Sequence, residues 1–319
     1  MALPEKAMRD AFLSSVLECM RSDPKVVLLA ADFGSPVMDA IRKEHAARFV
    51  NVGIAEQDLI NISTGMALEG FKVIAYAIAP FITMRCFEQV RVNLGILGQV
   101  RKMNVTLAGV GAGCSYAVSG PTHQCFEDLS IMRVIPGVSL FSPSDAATAA
   151  ALVPFFLSQD GVRYIRMDAK PLVDVPAAPN ADFMRDGCRI VNKGQGGCVI
   201  ATGYMVHVAL DACRILKTEG CEPPSVIEVL RLNPAPADAL ILSEIRNRGK
   251  MITLEEGFIN AGGLDALVMQ MLNNKGAGVA RIINMGIKPA YSFDPGKREN
   301  LLCSHGIDAE ALVKVLKGN

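Results

Sequence analysis

Apolar positions along the chain follow two alternating rhythms. "KAMRDAFLSSVLECMRSD" sets Phe12, Val16 and Met20 near one face at about 3.6-residue spacing, which predicts an amphipathic helix. "KVVLLAAD" follows, apolar without alternation, as expected of a strand buried on both faces of a parallel sheet. "DLINISTGMALEG" predicts a helix stopped by Gly70. "KVIAYAIA", "NVTLAGVG", "VSLFSPS" and "VRYIRMD" predict further strands, with the helix "DAATAAALVPFFLSQ" between the last two.

From residue 168 onward the rhythm breaks. "DAKPLVDVPAAPNADF" is proline-rich and aperiodic, so residues 171–192 are expected to form a linker over the surface. A second α/β unit then begins with the strand "GCVIATG" and the helix "MVHVALDACRILKTEG". It continues through the strands "PSVIEVLRL" and "KMITLEE", the helix "GGLDALVMQMLNN" and a closing helix in "GIDAEALVKVL". The fold class is therefore α/β, with two three-layer domains of mainly parallel sheet, at residues 1–170 and 193–319. A length of 319 residues suits two such domains.

Composition narrows the function classes. Formal net charge is zero and no run of like charges occurs, which argues against nucleic acid or an anionic membrane as partner. No apolar run reaches the ~20 residues of a membrane span. The nine cysteines are odd in number and lack CxxC spacing, so neither a disulfide framework nor a metal site is indicated. Cys86, Cys114, Cys125, Cys188 and Cys198 sit among apolar or small residues and read as core. "MALPEKAMRDAF" lacks the apolar stretch of a secretory signal, and a reduced, cytoplasmic location is expected.

Individual motifs allow more than one reading. "LAGVGAG" follows a strand but has Cys114 where a dinucleotide fingerprint needs its third glycine, so a tight, close-packed loop is expected. His123, one of four histidines, follows a Gly-Pro-Thr turn that either aims it into a cleft or leaves it filling the turn. Arg163 and Arg166 alternate along "VRYIRMD" near a strand's carboxyl end, where a guanidinium either meets an oxyanion or is solvated. Glu56 stands in the largely apolar stretch "FVNVGIAEQDLINI", with Asp58 two residues on. In a helix's first turn the dipole favours an acid by ~0.5 kcal/mol, an ordinary reason for its presence.

Taken in order, "GIAEQ", "APFITMRCFEQVR", "SGPTHQCFEDLSIMRVIPG", "SPSDAATA" and "VRYIRMD" resemble the transketolase family, which includes 1-deoxyxylulose-5-phosphate synthase. "LEEGFINAGGLDA" and "GIKPAYSF" resemble that family's C-terminal domain. The resemblance implies a thiamine diphosphate pyrimidine-binding domain followed by the C-terminal domain. The Gly-Asp-Gly that holds Mg²⁺ on the cofactor's diphosphate is absent. The chain thus resembles the second half of a split transketolase, β-type, needing an N-terminal partner that carries the diphosphate-binding domain. A homodimer of this chain within a heterotetramer is implied, acting on small-molecule sugars.

The resemblance also implies roles. Glu56 would hydrogen-bond a ring nitrogen of the cofactor's aminopyrimidine, which gives burial a catalytic purpose. Phe81 would lie against the pyrimidine, with Asp32 and Ile54 beside the cofactor. His123 would meet the donor's hydroxyl or developing oxyanion. Ser35 would reach an anionic tail, Arg166 would grip a phosphate, and Arg85 matches an arginine of split members. Ser119 replaces the aspartate that reads a sugar hydroxyl, and "GVGAGCSYAV" lacks the loop histidine or arginine of typical members. The expected substrate is therefore a modified sugar, with a deoxy centre, a branch or a different anion.

Overall fold

The computed structural model describes residues 6–246, 248–279, 281–293 and 296–318. The first unit runs β1 (Lys6–Ala7), α1 (Met8–Ser22), β2 (Val26–Ala30), α2 (Pro36–Glu44), β3 (Phe49–Asn51), α3 (Glu56–Leu68), β4 (Lys72–Ile78) and α4 (Phe87–Gln89). It continues with β5 (Asn104–Val110), α5 (Asp128–Arg133), β6 (Val138–Phe141), α6 (Ala146–Leu157), β7 (Gly161–Met167) and β8 (Pro171–Leu172). The second runs α7 (Ala181–Asp186), β9 (Cys188–Asn192), β10 (Cys198–Ala201), α8 (Met205–Thr218), β11 (Ser225–Val229), β12 (Arg231–Asn233) and α9 (Asp238–Ile245). It ends with β13 (Lys250–Phe258), α10 (Leu264–Asn274), β14 (Arg281–Ile287), α11 (Arg298–His305) and α12 (Ala309–Lys317).

Seven strands form the first sheet in the order β12-β6-β7-β5-β4-β2-β3, parallel except for β12. Five form the second, β14-β13-β10-β11-β9, parallel except for β9. The unalternating apolar strands have their predicted consequence. Val26, Leu28 and Ala30 of β2 join one core with Phe12, Val16 and Met20 of α1, while Val27 and Leu29 join another with Leu59 and Ile60 of α3. In β10, Cys198 and Ile200 face one core and Val199 and Ala201 the other. Both sheets are therefore covered on both faces, the arrangement that parallel sheets require. The five cysteines read as core are all buried.

Two features depart from the expected plan. The stretch read as linker contains helix α7, and its last five residues are β9, an antiparallel edge strand of the second sheet. "PSVIEVLRL" is not one strand but two. It leaves the second sheet after Val229, and Arg231–Asn233 pairs antiparallel with β6 at the edge of the first. Leu230 makes the crossing, donating to Gly187 O at 2.9 Å and accepting from Ser142 N at 2.7 Å. A continuous apolar pattern does not reveal which sheet each half joins.

A buried ionic cluster reinforces the junction. Glu228 is fully buried, accepts from Arg189 Nε at 2.6 Å and from Ser144 Oγ of the first unit. Burial pushes its carboxyl up, and Arg189 and Ser144 pull it back. Among the described residues no helix is long and apolar enough to cross a membrane.

Arg189→Ala leaves Glu228 buried without its counter-charge, and is expected to lower unfolding free energy by about 3–5 kcal/mol. Arg185→Ala, which breaks exposed pairs with Asp182 and Asp186, should cost less than ~1 kcal/mol. Urea denaturation of the two variants measures both, and equal effects would remove the cluster's role.

Candidate active site

Helix α3 begins at Glu56, whose side chain is only 2 % exposed although it opens the helix. Leu59, Ile60, Ser63 and Thr64 are buried on the same helix, so the face that holds the helix on the sheet carries the carboxyl inward. The helix's positive end favours the charge, but burial at this depth needs a partner. Arg85 supplies it, donating from Nη1 to Glu56 Oε2 at 2.6 Å. Among the described residues only Oε2 is hydrogen-bonded, and Oε1 is left for a ligand.

Arg85 ends a wide π-helical turn, Phe81–Arg85, that follows β4. Such turns interrupt regular helix and concentrate at functional sites. Here the turn lays the Arg85 guanidinium 4.4 Å from the centre of the Phe81 ring. The ring of Phe81 is in turn 5.3 Å from that of His123, edge-on at 72°. Beyond His123, at 6.5 Å and 86°, lies Tyr116. His123 Nδ1 is 3.0 Å from Thr122 Oγ1, which leaves Nε2 as the nitrogen available to a ligand. Residues distant in sequence thus form one wall, from a buried acid through a cation and an aromatic face to an imidazole.

Asp32 stands exposed beyond β2 in a left-handed conformation, φ +48°. Asn51 clamps it: Asn51 Oδ1 accepts from Asp32 N and Gly53 N, both at 3.0 Å, and Asn51 Nδ2 donates to Asp32 Oδ1 at 3.3 Å. Sequence reasoning passes over Asn51; its only signal is an asparagine at the end of a short strand, before "VGIAE". Ile54 projects outward, 75 % exposed, two residues before Glu56. Ser119 is exposed at the end of the turn Ala117–Ser119. The glycines of "LAGVGAG" make the close-packed loop expected: side chains of Tyr164, Tyr116 and Glu256 occupy the places where Cβ atoms of Gly109, Gly111 and Gly113 would stand.

Four side chains hold partners that the sequence did not reveal. Ser35 caps α2, accepting from Val37 N at 3.2 Å and donating to Asp10 Oδ1 at 2.9 Å, and is buried. Arg85 is engaged with Glu56 and Phe81. Arg166 is neither an open grip nor solvated but 2 % exposed, its Nε bonded to both Asp128 oxygens at 3.0 and 2.8 Å. Arg163 is buried too, bonded to Gly161 O at 3.0 Å and Asn104 Oδ1 at 3.3 Å, with burial pulling its pKa down to about 10.

If Ser35 is a cap, Ser35→Ala should lower stability by about 1 kcal/mol, read from the denaturation midpoint. In the assembled enzyme its KM for an anionic sugar should stay unchanged. A raised KM at unchanged stability would return Ser35 to the substrate site.

Comparison with known proteins identifies the family. Residues 4–172 match the transketolase pyrimidine-binding domain, and residues 186–312 match the transketolase C-terminal domain. The chain is 30 % identical over 309 residues to one subunit of the apulose-4-phosphate transketolase of Phocaeicola vulgatus, covering 97 % of this chain and 96 % of that one. It is 28 % identical over 313 residues to a 6-deoxy-6-sulfo-D-fructose transketolase subunit of a Clostridium strain, covering 98 % and 94 %. A split-gene transketolase solved as an inactive β4 tetramer superposes with a TM-score of 0.84 at 28 % identity, covering 99 % of this chain and 98 % of that one. Matched in both domains and over the full length of such relatives, this chain belongs to the transketolase family, as one of the two kinds of polypeptide that make up its split members.

Proposed function

We propose that this chain supplies the pyrimidine half of a thiamine diphosphate site in a split transketolase that moves a two-carbon ketol unit from a ketose to an aldose. The observation that carries the reading is the wall Glu56–Arg85–Phe81–His123. Its residues fit the cofactor's pyrimidine: a buried carboxyl with one oxygen free, an aromatic face beside it, and an imidazole beyond. Thiamine diphosphate, when bound, supplies the carbanion chemistry of ketol transfer.

The chain's own residues do the rest. Glu56 holds a proton at the pyrimidine ring nitrogen through Oε1, while Arg85 fixes Oε2 and so orients the carboxyl. Phe81 offers the flat surface, and Asp32 and Ile54 border the same end. His123 gives or takes a hydrogen bond through Nε2 at the sugar's reacting oxygen. Ser119 stands near it on the preceding turn, a short neutral side chain suited to a sugar other than the ordinary pentose phosphates.

The diphosphate and Mg²⁺ fall to a partner. Among the described residues no group of three His, Cys, Asp or Glu side chains could hold a metal, and the sequence lacks Gly-Asp-Gly. Ile54 at 75 % exposure, Met84 at 39 % and Ile62 at 40 % leave apolar surface beside the site that a second polypeptide would cover. A homodimer of this chain inside a heterotetramer satisfies both needs. The names of the two relatives, one for a sugar phosphate and one for a deoxy sugar carrying a sulfo group, support an anionic, modified sugar as substrate.

In the assembled complex Glu56→Ala should reduce turnover at least about 100-fold while assembly, followed by gel filtration, stays intact. Unchanged turnover would sink the catalytic reading. The isolated chain should bind thiamine diphosphate weakly even with Mg²⁺, as measured by titration calorimetry. Tight binding there would contradict the assignment of the diphosphate to a partner.

A further inference from the structure

The segment that carries His123 is fastened to the second domain as firmly as to its own. Two residues past His123, Cys125 exchanges backbone hydrogen bonds with Gly113, at 3.0 and 3.1 Å. Gly113 in turn lies against the Glu256 side chain, at φ +56°, with no room for a Cβ. Arg166 Nη2 donates to Cys125 O at 3.3 Å and to Glu256 O at 2.6 Å, joining the turn to the carboxyl end of β13 in a single guanidinium. Phe126 O accepts from Phe258 N at 3.3 Å, and the two rings meet edge-on at 5.5 Å. Tyr291 Oη donates to Glu127 Oε1 at 2.8 Å.

Glu256 is itself fixed. Arg298 grips it through Nε at 2.9 Å and Nη2 at 2.5 Å, reaches Asp168 beyond β7 at 2.5 Å through Nη1, and lies 3.4 Å from the centre of the Tyr204 ring. Arg166 meanwhile holds Asp128, which also accepts from Tyr164 Oη at 2.8 Å. Both arginines already hold buried carboxylates, Arg166 that of Asp128 and Arg298 those of Glu256 and Asp168. The connections end on the backbone of Cys125 and Phe126 and on the Glu127 side chain, immediately after the imidazole that the proposed mechanism uses.

We propose that Arg166 and Glu256 are positioning residues for His123, acting through the backbone of Cys125, so that the second domain sets the reactivity of the first. The kinetic part of this inference rests on the transketolase reading; its structural part does not. A displaced imidazole lowers turnover with every acceptor alike, whereas a lost phosphate grip weakens only phosphorylated ones.

The test uses Glu256→Gln, which keeps the side chain's shape, and Arg166→Lys, which keeps its charge. In the full chain, the four histidines give a simple imidazole NMR spectrum. Both variants should move the His123 resonance and leave those of His45 and His305 in place. In the assembled enzyme, kcat should fall by about 10- to 100-fold with D-ribose 5-phosphate and with neutral glycolaldehyde alike, with KM for the phosphate little changed. An unmoved His123 resonance, or a raised KM confined to the phosphorylated acceptor, would overturn the proposal. Should a variant lose its cooperative melt, the other decides. Should the wild-type assembly turn over neither acceptor, its substrate is a different sugar, and the NMR result alone judges the positioning.

Discussion

A carboxylate removed from water must be answered by a cation or by backbone donors, and that constraint shapes this molecule more than any other. Glu56 is answered by Arg85, Asp128 by Arg166, Glu228 by Arg189, and Glu256 together with Asp168 by Arg298. The backbone serves as well: Glu255 accepts from the N–H groups of Leu264 and Asp265 at the start of α10, and Asp145, 3.8 Å from Arg189 Nη2, from Thr148 N and Val175 N. Burial still drives the Glu255 carboxyl up to about 7. Each pair fixes two elements with angular precision that apolar packing alone does not provide.

The pairs divide by location. Three lie where the two domains meet, and there each arginine holds a buried carboxylate. The fourth, Glu56 with Arg85, opens onto the surface, with Arg85 43 % exposed and one carboxyl oxygen left over. An ion pair that is only half buried and half satisfied is the kind that can exchange a partner for a ligand.

Much of this was legible in the sequence. Unalternating strands such as "KVVLLAAD" and "NVTLAGVG" announced parallel sheets covered on both faces, because no other setting accepts apolar residues at successive positions. Glu56, Phe81, Arg85 and His123 stand in separate short motifs, and the structure brings the four side chains together. Tertiary competition for polar groups was not legible. Arg166 has the same sequence neighbours whether it grips a ligand or Asp128, and only the fold brings Glu256, ninety residues away, to its other side. Ser35 likewise has a local use, capping α2, that outweighs a distant one. The crossing of Leu230 between sheets left no mark on the hydrophobic pattern, since Val229, Leu230 and Leu232 are all buried.

The central claim is that this chain is half of an enzyme. It is tested most directly by affinity purification of the chain from its own cells under gentle conditions, with the accompanying polypeptide sequenced and ketol transfer assayed on the recovered assembly. The expected result is a stoichiometric partner that carries Gly-Asp-Gly followed by asparagine, and an activity that neither chain has alone. A chain recovered without any such partner, or one that transfers ketol units unaided, would contradict it.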